Sequence, residues 1–176
     1  KIAALNANRS YIKGIDAAAV VKLNSDSRFR ATSNPGDLKD ADAIIMCVPT
    51  PLNKYREPDM SYVVATTETI ARVLRPGQLV ALESTTYPAT TEELLKPMLE
   101  KSGLKCGKDF YLAYSPERED PGNGYYSTHT IPKVVGADDD QSRQLAMALY
   151  GTIVAKAVPV STAATAEAVK LTENIF

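Results

Sequence analysis

The sequence predicts an α/β fold: a Rossmann-like, doubly wound, mainly parallel sheet. Three observations carry that prediction. Short apolar runs alternate with amphipathic segments of roughly 10–15 residues, the order that builds βαβ units. Two of the runs, 42–49 (DAIIMCVP) and 78–85 (QLVALEST), are continuous rather than alternating, as expected of strands covered on both faces. Turn residues separate the segments, and no repeat or low-complexity stretch interrupts them.

Taken in order, the chain opens inside a short helix and passes through a loop (NRSYIKGI) to a second helix near 16–24. Residues 28–34 (RFRATSN) read as a short strand, and 42–49 as a buried one. Residues 59–77 carry an Asp N-cap signal, helical periodicity and a Pro-Gly stop. After the strand at 78–85, a helix over 90–103 ends on Gly103, with Thr90 and Thr91 placed to cap its start. Strands at 109–117, 133–137 and 156–161 follow, with a helix at about 139–150 between the last two and a terminal helix after Ser161.

No strand precedes the first helix, so both ends look cut and the expectation is a piece of a longer protein, N-terminally truncated. Charged residues are 23% and the net charge is −1, which implies no broad attraction to nucleic acid or membrane. No apolar run approaches the roughly 18 residues of a membrane-spanning helix. Two cysteines are too few for a disulfide framework, no Cys/His metal spacing occurs, and a reducing, cytoplasmic setting is the default. His129 is the single histidine, so a Ser-His-Asp triad could rest only on that residue.

In an open α/β sheet, ligands bind beyond the carboxyl ends of the strands. Three polar clusters fall there: VPTP (48–51), ESTTYP (83–88) and SPERED (115–120), with the terminal helix following a fourth strand end. VPTP reads either as a stiff ledge presenting Thr50 to a cofactor or as a plain loop exit. Ser84, Thr85 and Thr86 read either as turn residues or as hydroxyls free to hold water or substrate. Glu117 and Arg118 come straight off an apolar strand; the arginine suits phosphate or carboxylate, and the carboxylate could orient water. The stretch 115–132 is of a length usually either functional or disordered, and its place after the carboxyl end of a strand favours function. On the terminal helix Glu167, Lys170 and Asn174 form a polar stripe at i, i+3 and i+7, either solvated or half of an active site. Cys47 reads as core and Cys106 as a loop residue, neither as a nucleophile.

The blocks SYI, ADAIIMCVPTPLNKYREPDMSYV, GQLVALESTTYPATTEE, FYLAYSPEREDPGN, IPKVVGA and AEAVKLTENIF, in this order and spacing, resemble the UDP-glucose/GDP-mannose dehydrogenase family. The nearest branch is that of the bacterial UDP-N-acetylhexosamine (glucosamine/galactosamine) 6-dehydrogenases of surface-polysaccharide synthesis. The resemblance implies two NAD⁺ used to oxidise a sugar C6 alcohol to a carboxylate, with an aldehyde captured by a cysteine, oxidised to a thioester and hydrolysed. It also implies that Val48, Pro49, Thr50 and Thr86 lie along the NAD site. Thr86 and Glu117 would position the hydrolytic water. Glu117, Arg118, Lys170 and Asn174 would contact the UDP-sugar, and the last two would stabilise an oxyanion at C6. Residues 1–161 would be a partial NAD-binding domain, and 162–176 the start of the helix leading to a central dimerisation region. The glycine-rich loop, its strand and the nucleophilic cysteine have no counterpart in these residues, which would leave the 42–49 strand with an unpaired edge. Other readings are a UDP-glucose 6-dehydrogenase, a Rossmann dehydrogenase acting on hydroxy acids or acyl-CoA, and a non-catalytic flavodoxin-like or receiver domain.

Overall fold

A computed structural model describes residues 1–11, 15–26, 29–55, 57–117 and 131–175, the last three by their backbone alone. The chain divides into two units, Lys1–Asp37 and Leu38–Phe176.

The first unit holds α1 (Ile2–Asn6) and α2 (Ala17–Ser25). The Asp16 carboxylate accepts the Ala18 N–H at 3.0 Å and starts α2. Asn24 Nδ2 donates to Leu5 O at 2.8 Å and to Asn8 Oδ1 at 2.6 Å, tying α2 to the end of α1. The strand expected over 28–34 is not formed by its described residues, 29–34. Its polar side chains serve local turns instead: Thr32 Oγ1 accepts the Asn34 N–H and Asn34 Oδ1 accepts the Gly36 N–H, contacts that compete with a ladder.

The second unit is the α/β sheet. Its elements are β1 (Ala43–Met46), α3 (Ser61–Ala71), β2 (Leu79–Leu82) and a helical stretch over 90–102. These are followed by β3 (Tyr111–Tyr114), β4 (Lys133–Gly136), α5 (Asp140–Gly151), β5 (Ala157–Val160) and α6 (Ala163–Ile175). Asp59 accepts the Ser61 N–H at 2.9 Å just ahead of α3, although the N-cap position itself is Met60 rather than the expected Asp. The 90–102 stretch opens with a wide π-type turn (Thr90–Leu95), narrows through an α turn (here α4, Lys96–Leu99) and closes at Gly103, whose φ of 88° needs no Cβ.

The strands lie side by side in chain order, β1-β2-β3-β4-β5, and three of the four pairs are parallel. The β3–β4 pair is antiparallel, with Tyr114 beside Gly136. Period-2 alternation splits the core into two layers. Val80, Leu82, Leu112 and Tyr114 face α3, the 90–102 helix and α6, whereas Leu79, Ala81, Ala113 and Val135 face α5 through Ala146 and Tyr150. Helices therefore cover both faces, as a doubly wound sheet requires.

β1 departs from the sequence reading. Ile44 and Met46 are buried, but Ile45 on the opposite face is 39% exposed, so this strand is covered on one side only. Among the described residues it also pairs on one edge only, with β2.

Candidate functional site

Strand direction decides which polar groups meet. β1, β2 and β3 run the same way, so VPTP, ESTTYP and the turn after β3 leave at one edge. β5 runs the other way and ends level with Gly136, hence with Tyr114. The terminal helix does follow the end of a fourth strand, but that strand runs opposite to β1, β2 and β3. α6 reaches the site by turning back across the sheet, not by starting there.

At the shared edge, Ser84 Oγ accepts the Val48 N–H at 2.9 Å and locks the two loops together. Ser84 is 7% exposed, and Thr86 is 1% exposed with no hydrogen-bond partner for its hydroxyl among the described residues. Of the three hydroxyls read as free, only Thr85 is open to solvent. Val48, Pro49, Thr50, Thr85 and Glu117 line a cleft of about 340 Å³ at this edge. Arg118 and His129 lie outside the described residues, as does most of the 115–132 stretch.

A second group, to which the sequence reading did not assign Lys133, sits under this cleft on the α5 side. Cys47, Glu83, Glu117 and Lys133 all follow the parity of the strand residues that face α5. Lys133 is 5% exposed, and its Nζ donates to Pro116 O at 3.2 Å. The same Nζ lies 3.4 Å from Glu83 Oε1 and 3.6 Å from Glu117 Oε2. Tyr150 Oη donates to Glu83 Oε1 at 2.8 Å, and Cys47 Sγ donates to Glu83 Oε2 at 3.7 Å. A buried ammonium is tolerated only when carboxylates and carbonyls compensate its lost hydration, which these do. The available signal was a charged residue at each end of otherwise apolar strands (Glu83 after QLVAL, Lys133 before VVGA).

Cys47 is exposed, not core, because it lies on the same face as Ile45, the side of β1 that no element covers. Partial burial and then the Glu83 carboxylate push its thiol up to about 11. Cys106 is pushed up to about 11 by burial and by Asp139. Neither is a thiolate at neutral pH, in line with the sequence reading of both as unreactive.

α6 packs over β4 at Gly136 and carries Lys170, which is half-buried. Asn174 lies on the same helix, and its side chain is outside the described set. Glu167 does not belong to a surface stripe: it is fully buried. Its Oε1 accepts the Thr91 N–H at 2.9 Å and the Thr91 hydroxyl at 2.6 Å. The helix at 90 is thus capped from α6 rather than by its own threonines. Thr90 Oγ1 donates backwards to Tyr87 O at 2.6 Å. Glu167 Oε2 has no partner among the described residues.

Burial raises the Glu167 pKa, against the opposing pull of the Thr91 bonds. The raised folded value means that its contribution to stability is fully present below the ordinary carboxylate range. That contribution is lost as pH rises through the raised value. Glu167→Gln keeps an acceptor for Thr91 and cannot ionise. Urea unfolding near pH 4 and pH 8 is expected to show wild type losing stability relative to the variant as pH rises; identical pH dependence of the two would contradict this.

Residues 1–154 match the family described as UDP-glucose/GDP-mannose dehydrogenase family, NAD binding domain. Protein CapL of Staphylococcus aureus is 40% identical over 182 residues, spanning 99% of this chain and 43% of that protein. A UDP-N-acetyl-D-glucosamine 6-dehydrogenase of Pseudomonas aeruginosa is 37% identical over 92% of this chain and 40% of its own length. The crystal structure of an NDP-N-acetyl-D-galactosaminuronic acid dehydrogenase from Methanosarcina mazei Go1 superposes with a TM-score of 0.90 at 32% identity, covering 98% of this chain and 38% of that one. The chain thus spans about two fifths of the length of the curated relatives it matches. With a family match over residues 1–154, and a sequence relative and a solved fold each matched over nearly its whole length, the chain belongs to the UDP-glucose/GDP-mannose dehydrogenase family.

Proposed function

We propose that this chain is the cofactor-holding part of an NAD-dependent nucleotide-sugar 6-dehydrogenase that oxidises the C6 alcohol of a UDP-N-acetylhexosamine to the uronic acid in two hydride transfers. The observation that carries this reading is the cleft in which Val48, Pro49 and Thr50 face Thr85 across the Ser84 lock, at the strand edge where such sheets bind ligands. The chemistry of the lining fits a dinucleotide: a proline-stiffened ledge, hydroxyls, and beside them the buried Thr86 hydroxyl without a partner. NAD, when bound, accepts the hydride. Val48, Pro49, Thr50 and Thr86 hold it; Glu117 contacts substrate and orients the water that releases the acid. Arg118 contacts substrate as well. Lys170 and Asn174 donate to the oxygen that develops charge at C6.

Residues 1–161 are, in this reading, part of the NAD-binding domain, and 162–176 lead into the region through which two copies pair. The activities for which several relatives are named favour an N-acetylated sugar over UDP-glucose. Surface-polysaccharide synthesis is the corresponding role. No described helix is long and apolar enough to cross a membrane, and two free cysteines suit a cytoplasmic setting.

The test is turnover by the full-length protein with UDP-N-acetylglucosamine or UDP-glucose. The expected result is two NADH per N-acetylated sugar consumed. One NADH per sugar would refute the four-electron scheme, and preference for UDP-glucose would move the protein to the neighbouring branch.

A further inference from the structure

We infer that Lys133, anchored by Glu83 and Tyr150, is a positioning residue for Glu117, so that the β4 strand sets the aim of the substrate-side carboxylate. This inference rests on the role proposed for Glu117. It starts from register. Gly136 pairs with Tyr114 in the antiparallel β3–β4 couple. Carried three residues further, the same register brings Lys133 opposite Glu117, just beyond the end of β3. Only an antiparallel β4 does this, because a parallel strand would put its first residue at the far edge of the sheet.

The ammonium is gripped from three sides. Pro116 O accepts at 3.2 Å and fixes the backbone of the turn that carries Glu117. Glu117 Oε2 lies at 3.6 Å, on a side chain 45% exposed to the cleft. Glu83 Oε1 lies at 3.4 Å, and the same oxygen accepts the Tyr150 hydroxyl at 2.8 Å, which leaves that carboxylate no freedom to swing. The Tyr150 ring face, 5.4 Å away, adds a cation–π contact. With its Nζ fixed by groups on the turn after β3, β2 and α5, Lys133 holds one Glu117 oxygen in place. Carboxylate and backbone are preorganised together, as a catalytic group supported by an outer layer of contacts must be.

The experiment is a double-mutant cycle in the full-length enzyme, using UDP-N-acetylglucosamine and NAD⁺. Lys133→Met is expected to lower kcat about 10²-fold through misplacement of Glu117, with KM for NAD⁺ changed less than about threefold. In a Glu117→Gln background the same substitution is expected to cost less than about threefold, since the group it positions is gone. An equal loss in both backgrounds would mean that Lys133 supports only the fold, and would overturn the inference. If Lys133→Met fails to fold, Glu83→Gln/Lys133→Met, which keeps the pocket balanced in charge, takes its place in the cycle.

A second readout is independent of turnover. Iodoacetamide labelling of Cys47, resolved by peptide mass, reports the same charges, because Glu83 raises and Lys133 lowers the thiol pKa. Labelling near pH 9 should slow in Lys133→Met and quicken in Glu83→Gln. Unchanged rates would refute the network, whereas an inactive wild type with the expected rates would refute the dehydrogenase reading and leave the network standing.

Discussion

Lys170→Met in the full-length enzyme is expected to lower kcat by roughly 10²–10³-fold, the measured scale for loss of one oxyanion donor. The expectation rests on how α6 is mounted. The helix starts level with Gly136 and runs for 13 residues, about 20 Å. Lys170 lies eight residues past Thr162, so the helix carries it about 12 Å back toward the edge where VPTP and ESTTYP emerge. One turn before it, Glu167 is bonded twice to Thr91, which follows ESTTYP. That clamp fixes the rotation of α6 and with it the direction of Lys170. Because the ammonium would act on charge that exists only during reaction, the loss should fall on kcat, with KM for NAD⁺ within about threefold of wild type. A kcat within threefold of wild type would refute the oxyanion role.

Gly136→Ala is expected to be the most damaging glycine-to-alanine change among the described residues. A Cβ at Gly136 would stand 2.2 Å from Thr162 O and 2.8 Å from Ala166 Cβ. The first of these is backbone, and it belongs to the residue just before α6, so no side-chain rotation relieves the clash. The whole helix must lift off β4, which places the cost at the upper end of overpacking, about 3 kcal/mol. For a domain of this size that corresponds to a Tm lower by about 6–12 °C. Gly151→Ala is the control: nothing lies within 4 Å of a Cβ there, at the end of α5. Its Tm should stay the same or rise slightly, since alanine is the better helix former. Equal shifts in the two variants would show that α6 is not seated on β4 through Gly136. Lifting α6 also moves Lys170, so the Gly136 variant should lose turnover beyond its loss of stability.

Much of the architecture was legible because hydrophobic pattern and punctuation are local. Five of the six expected strands form, as do all the expected helices, with ends a few residues shorter than the apolar runs. The shortening has a simple cause. Glu83 N–H still donates to Met46 O and Ser115 N–H to Leu82 O, so the ladder continues past the strands while the chain bends away. The strand at 28–34 failed because a segment's composition cannot supply the neighbour that a ladder needs. Cys47 is exposed for a related reason: an apolar run states that residues are fit for burial, not which face finds a cover.

The candidate site divides the same way. VPTP, STTYP, Glu117 and Lys170 were visible as residue types at strand ends and in family blocks, and their types determine what chemistry is available. Whether a hydroxyl faces a cleft or a neighbour's N–H was not visible, because Ser84 meets Val48 across 36 residues and Glu167 meets Thr91 across 76. Lys133 and Glu83 were on the page as charges bounding apolar strands, yet nothing local says that an antiparallel β4 brings them together. By itself the sequence determined the class of fold, the family and the inventory of donors and carboxylates, since period, turns and side-chain chemistry are properties of short stretches. Strand direction, register and the path of α6 were decided only by the tertiary structure, because each depends on long-range contacts formed when the sheet and its two helical layers pack.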